Sequence, residues 1–131
     1  MIDTTFREIY VDIDSDFQRF EQSKTCQHIR ENMKNEKLKQ LIGNVYEIYV
    51  RKSSSGNVHL RLDLENAIDV LEMFELRALF HDDTVRIAID LRRLVLQGED
   101  EINRIFSSKF KDGVKYEAGE WKLWYSRDYH G

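Results

Sequence analysis

Between residues 6 and 13 apolar and polar side chains alternate. Ile9, Val11 and Ile13 fall on one side, Tyr10, Asp12 and Asp14 on the other, as in a half-buried strand. Asp14, Ser15 or Asp16 can cap a following helix whose apolar face starts at Phe17 and Phe20. It runs to about residue 33, with Leu38, Leu41 and Ile42 on a further turn. Residues 45–52 alternate again, with Tyr46, Ile48 and Val50 opposed to Val45, Glu47, Tyr49 and Arg51. After the turn Ser53-Ser54-Ser55-Gly56, residues 57–64 set Val58, Leu60, Leu62 and Leu64 against Asn57, His59, Arg61 and Asp63. Two alternating runs around a short glycine-containing connection predict a β-hairpin. Residues 65–80 change to a helical period through Ala67, Ile68, Leu71, Phe74, Ala78 and Leu79, and residues 84–90 return to alternation, with Val85, Ile87 and Ile89 opposite Arg86, Ala88 and Asp90.

This order, β-α-β-β-α-β, predicts an α+β domain of the split βαβ (ferredoxin-like, RRM-like) kind, an antiparallel four-stranded sheet with two helices on one face. Right-handed crossovers would place the first and third strands centrally and the fourth beside the first. Residues 91–131 add a helix at Leu91, Leu94 and Val95, a second around Ile102, Ile105 and Phe106, and a terminal strand or hairpin through Trp121 and Trp124. Further breaks fall at Gly43, His81-Asp82-Asp83, Gly98 and Asp112-Gly113.

A length of 131 residues fits one domain spanning 1–131, with 41% hydrophobic and 34% charged residues. No run approaches the ~20 apolar residues of a membrane span, and Met1-Ile2-Asp3 lacks the layout of a signal peptide. The expected location is the cytoplasm. One cysteine, Cys26, excludes an internal disulfide and a cysteine-rich zinc site. A net charge of −4 opposes non-specific nucleic-acid binding over the whole surface, though not a local cationic patch.

On the predicted fold the open sheet face carries Tyr10, Asp12 and Asp14 from the first strand, His59, Arg61 and Asp63 from the third, and Arg86 and Asp90 from the fourth. A strand period of two aims Asp12 and Asp14 the same way, about 7 Å apart. Asp12, Asp14 and Asp90 would then form a carboxylate cluster suited to Mg²⁺ or Mn²⁺. Two such ions serve in-line phosphoryl displacement. His59 and the main-chain amides of the serine-glycine turn could hold phosphate oxygens. Arg51, Lys52, Arg61 and Arg86 read equally as a cationic rim and as solvated charges, while Arg92 and Arg93 read as surface residues. Trp121, Trp124 and Tyr125 read as packing residues before base-stacking ones, and Cys26 as a small filler. His28, His81 and His130 show no ligand spacing.

Tyr10-Val11-Asp12-Ile13-Asp14 resembles the first motif of archaeo-eukaryotic primases. Ser54-Ser55-Gly56-Asn57-Val58-His59 resembles their second, and Arg86-Ile87-Ala88-Ile89-Asp90 their third. The ordered trio covers roughly residues 8–91. The resemblance implies a primase-like nucleotidyltransferase or nucleotide-binding protein acting in DNA replication or repair. It would use two divalent metals on Asp12, Asp14 and Asp90, with Ser55, Gly56 and His59 on the triphosphate of the incoming nucleotide. Implied partners are a nucleoside triphosphate, nucleic acid and a protein supplying the second module that such enzymes carry, with a virus or plasmid as the source of so stripped-down a core. Two alternatives stand beside it: a metal-dependent nuclease on a ferredoxin-like fold, and a catalytically inactive nucleic-acid-binding module. Against an RNA-recognition platform, the first and third strands offer only Tyr10 for stacking.

Overall fold

The three alternating stretches between residues 6 and 64 become strands. A computed structural model describes residues 4–97 and 102–128; the break expected at Gly98 and the residue His130 lie outside these. Strand β1 (Phe6–Ile13) is followed by a 3₁₀ turn (Phe17–Gln22) and helix α1 (Lys24–Met33), then by a short 3₁₀ turn and helix α2 (Lys39–Gly43). Strands β2 (Val45–Lys52) and β3 (Val58–Ile68) form the expected hairpin, and helices α3 (Val70–Leu79) and α4 (Thr84–Leu96) come next. The chain ends in β4 (Ser108–Lys111), β5 (Val114–Glu117) and β6 (Lys122–Ser126). The result is a mixed α+β fold with a four-stranded antiparallel sheet, ordered β1-β3-β2-β6, and a separate β4-β5 hairpin.

One face of the large sheet makes the core. Ile9, Val11, Ile13, Val58, Leu60 and Leu62 are fully buried against Phe20, Ile29, Met73, Leu76 and Phe80. Val45, expected on the outward side, is buried with Ile48, because an irregularity in the β2–β3 register at residues 45–47 turns both inward. The helical stripe after β3 also differs from expectation. Strand β3 runs on to Ile68, and Asp69 then caps α3 by accepting from the Glu72 amide (2.8 Å). The buried positions of α3 are therefore Met73, Leu76 and Arg77, while Leu71 is exposed. Residues 102–107 form no helix: Ile102 is buried in the core and the rest is irregular. Asp112 and Gly113, both at positive φ (53° and 78°), turn the β4–β5 hairpin in the manner of an Asp-Gly two-residue loop.

The largest departure is residues 84–90. They are the first half of α4 rather than a strand, so the sheet's fourth member is β6, which pairs with β2 on the opposite edge, and β1 is left as an edge strand. The reason is local at one end and tertiary at the other. Helix α3 ends with His81 in the left-handed region (φ 62°) and the Asp82 amide donating to Arg77 O (2.9 Å), a Schellman-type stop. Asp83 then caps α4, accepting from the amides of Val85 (2.8 Å) and Arg86 (3.2 Å).

Helix α4 turns charge inward and leaves much of its apolar surface outward. Asp90 is 4% exposed, whereas Val85, Val95 and Leu96 are 64–72% exposed. What it faces is the backbone of β1. The Tyr10 amide donates to Asn103 Oδ1 (2.9 Å), and Asn103 Nδ2 donates to Glu8 O (2.8 Å). Arg86 donates to Tyr10 O (2.9 Å), the Asp12 amide donates to Asp82 Oδ1 (2.8 Å), and the Asp83 amide donates to Asp12 O (2.8 Å). Side chains and one loop amide thus take the place a neighbouring strand would have filled.

Asn103→Ala removes two of these bonds at once. The unfolding free energy should fall by about 1–3 kcal/mol, the usual cost of leaving a buried polar group unmade. Urea unfolding measures the loss, and amide hydrogen exchange locates it, with protection falling more at Tyr10 than at Leu62. An unchanged midpoint would show that the cap on β1 carries no stability.

Candidate functional site

The registers of β1 on β3 and of β2 on β3 align Asp12, His59 and Arg51 in one row across three strands, on the sheet face away from the core. His59 is 4% exposed and Arg51 9%. Arg51 Nε donates to His59 Nδ1 at 3.0 Å. A guanidinium has no lone pair to offer, so Nδ1 must be the unprotonated nitrogen and Nε2 carries the hydrogen. That Nε2 lies 3.7 Å from Asp12 Oδ1, too far for a hydrogen bond. Burial, followed by the nearby charges of Arg51 and Arg86, pushes the imidazole pKa down to about 4. At neutral pH His59 is uncharged and presents one N–H donor.

Beyond this row lies a cavity of about 490 Å³, within the range of small-molecule sites. Strand ends and the β2–β3 turn supply Asp12, His59, Ser53, Ser54, Ser55 and Asn57. The other lining comes from Asp83, Val85, Arg86, Ile89, Asp90 and Arg93, and from Arg104, Ile105, Phe106, Ser108 and Lys109. Lys109 Nζ donates to Ser55 Oγ (2.9 Å), joining β4 to the serine turn. Phe106 is 84% exposed, so its ring stands free beside the polar lining.

The serine turn is built differently from the sequence expectation. Ser53 Oγ accepts from the amides of Ser55 (3.2 Å) and Asn57 (2.9 Å), and Ser53 O accepts from the Gly56 amide (3.0 Å). Those amides are therefore spent inside the turn, and what it offers a ligand is hydroxyl groups. Gly56 does not line the cavity; it is needed for its φ of +89°, which side chains rarely adopt.

The other predicted positions separate. Asp12 faces the cavity, its acid raised chiefly by burial, held down in part by Arg86, and raised further by Asp82, Asp83 and Asp14. Asp14 lies beyond the end of β1, bonds weakly to Asn57 Nδ2 (3.4 Å) and does not line this cavity. Asp90 stands on α4, and its carboxylate receives Arg77 (2.8 Å), Arg93 (3.4 Å) and the Asn103 amide (3.2 Å). Arg77 and Arg86 both reach Asp82 at 2.7 Å, completing a buried two-arginine, two-aspartate cluster. Arg86 reaches the cavity with its guanidinium already bonded to Tyr10 O, Asp82 and Arg104 O. Arg61 pairs with Asp63 (2.9 Å) and lies over Tyr49, and Lys52 is exposed; neither lines the cavity.

Among the described residues no three histidine, cysteine, aspartate or glutamate side chains gather to enclose a metal ion. Of the expected trio, Asp12 and Asp90 line the same cavity and Asp14 does not, and Asp90 is paired with Arg77 and Arg93, so the three as placed do not by themselves enclose an ion. Asp83, Arg104, Phe106 and Lys109 also line the cavity, and none of them stands out as a site residue in the sequence. Only Asp83 left a local signal, a helix cap directly before an arginine-containing periodic run.

A histidine whose pKa is lowered on folding binds fewer protons folded than unfolded, so stability rises with pH between the two values. With about 4 folded and about 6.5 unfolded, the His59 contribution is complete above about pH 6.5 and lost as pH falls toward 4. The expected loss is about 2–3 kcal/mol. Urea midpoints from pH 4.5 to 7 should show this slope in the parent and a much smaller one in His59→Gln. Equal slopes would mean that His59 is not held neutral. Compared with known proteins, the chain matches no family model, no curated protein and no solved structure.

Proposed function

We propose that this protein binds a nucleoside triphosphate in the cavity beside Asp12 and His59, in the manner its primase-like motifs imply. The carrying observation is the neutral, buried His59, held by Arg51 with its Nε2–H toward the carboxylate side of the cavity. A neutral N–H donor beside serine hydroxyls and Lys109 suits phosphate oxygens, and the lysine adds the charge-assisted contact. Val85, Ile89, Ile105 and Phe106 add an apolar lining that inorganic phosphate would not need and a nucleobase would use.

Nucleotidyl transfer to a nucleic-acid strand is the second reading, and the observation favouring it is Asp12. Its carboxylate faces the cavity, with burial and the carboxylates of Asp82, Asp83 and Asp14 disfavouring its charge and Arg86 opposing them in part. A Mg²⁺ or Mn²⁺ ion arriving on the triphosphate, as part of the substrate, would relieve that repulsion.

Calorimetry with nucleoside triphosphate and with inorganic triphosphate, each with Mn²⁺, tests the first reading. His59→Ala should weaken both by about 10- to 150-fold, the equivalent of about 1.5–3 kcal/mol for a hydrogen bond to a charged group. Phe106→Ala should weaken the nucleotide alone, by about 5- to 100-fold if the base stacks there. No binding of either ligand to the parent would end the proposal. Labelled-nucleotide incorporation on a primed strand with Mn²⁺, compared with Asp12→Asn, tests the second reading, and absence of incorporation in the parent would leave binding alone.

A further inference from the structure

Arg51 is nearly buried, and among the described residues no carboxylate pairs with it. A buried guanidinium without an anion needs other compensation. It finds two neutral partners. One is the Nδ1 lone pair of His59. The other is Trp121, whose ring lies 4.3 Å below the guanidinium carbon, the distance of a cation–π contact. The same indole lies 5.4 Å from the guanidinium carbon of Arg61 and 6.3 Å from the ring centre of Tyr10, so it covers the middle of the sheet's open face.

The backbone on both sides of Trp121 is tied to β2, the strand that carries Arg51. The Gly119 amide donates to Lys52 O (2.8 Å), and Lys122 is the register partner of Val50. Trp121, one residue before β6, is therefore held over Arg51 by backbone ties to β2 on both sides. It does not line the cavity; it touches the residue that orients the residue that does.

We propose that Trp121 is a positioning residue: stacked on Arg51, it holds that guanidinium against Nδ1 of His59 and so makes the Nε2–H of His59 the donor the cavity presents. This rests on the reading of the cavity as a phosphate-binding site, but the state of the imidazole can be measured without any ligand. Without the indole, Arg51 loses its neutral cover and swings toward solvent, where a guanidinium is better hydrated. Nδ1 is then free to take a proton. Three charged groups bear on His59 besides Trp121's effect, Asp12 from β1, Arg51 from β2 and Arg86 from α4, while Asp83, Asp90, Arg93, Arg104 and Lys109 line the same cavity. Of these, Arg51 is the one that Trp121 touches.

The test is nitrogen-15 NMR of the histidine side chains in the parent, Trp121→Ala, Trp121→Phe and Arg51→Lys, with inorganic triphosphate binding measured on each. The parent should show a single His59 tautomer, protonated on Nε2 and neutral down to about pH 4. In Trp121→Ala the two ring nitrogens should move toward averaged shifts, the titration should rise by at least one pH unit, and triphosphate affinity at pH 7.5 should fall by about 3- to 10-fold. Trp121→Phe should restore most of the parent pattern, since a smaller ring still offers its face. Arg51→Lys, which keeps the charge but loses the planar Nε–H, should resemble Trp121→Ala, and it decides the matter if the alanine variant fails to fold. A folded Trp121→Ala or Arg51→Lys with the parent tautomer and titration overturns the proposal. A parent that binds no triphosphate overturns the reading of the cavity instead, while the tautomer measurement still decides the role of Trp121.

Discussion

An edge strand in a mostly buried position must satisfy the backbone groups that face away from the sheet, and in β1 this requirement organises half of the molecule. Glu8, Tyr10 and Asp12 offer five outward-facing bonds, met by Asn103, Arg86, Asp82 and the Asp83 amide. Side chains can do this only if they are themselves held in place. Arg77, Arg93 and the Asn103 amide fix Asp90, and Arg77 with Arg86 fixes Asp82. Buried ion pairs add little net stability, yet losing one partner is costly because the other charge is stranded. The cluster therefore acts as a register device that seats α4 at one position along β1.

The same arrangement makes the cavity. Because Asp82 and Asp83 dock at Asp12 to cap the strand, the N-terminal end of α4 arrives beside the Asp12–His59 row, bringing Val85, Arg86 and Ile89 with it. The cap also changes the electrostatics of Asp12. Asp82 and Asp83 raise its acid while Arg86 opposes them, so the carboxylate is balanced between neighbours of both signs. A strand in the place of α4 would have set Asp90 beside Asp12; the helix buries Asp90 among arginines and puts Asp83 near the carboxylate instead.

On the open face, alternate rows satisfy themselves. Arg61 pairs with Asp63 and stacks on Tyr49, the Tyr10 hydroxyl donates to Glu8, and the Tyr49 hydroxyl donates to Glu47. Trp121 then covers the two arginines. This face is a layer of cation–aromatic contacts, and the Nε2–H of His59 lies at one end of the sheet, in the row it shares with Asp12 and Arg51.

Local pattern was enough for β1, the β2–β3 hairpin, the break at Asp112-Gly113 and a terminal strand through Trp124, though not as far back as Trp121, since alternation and turn residues are read over a few neighbours. It also brought Asp12 and His59 together, because they sit on strands whose outward faces the period-two rule determines. The sequence Val85-Arg86-Ile87-Ala88-Ile89 satisfies that rule equally well, and there the rule misleads. As a helix the segment has its own apolar period, but it turns Arg86 and Asp90 inward and leaves Val85, Ile89 and Val95 outward, the reverse of an ordinary amphipathic face. Only the tertiary structure holds the reason. The N-terminal end of α4 meets a polar strand edge, with amides and carbonyls left unpaired by any strand. Arg86, Asp82, Asp83 and Asn103 meet them, and the fates of Asp83 and the expected fourth strand follow from that edge.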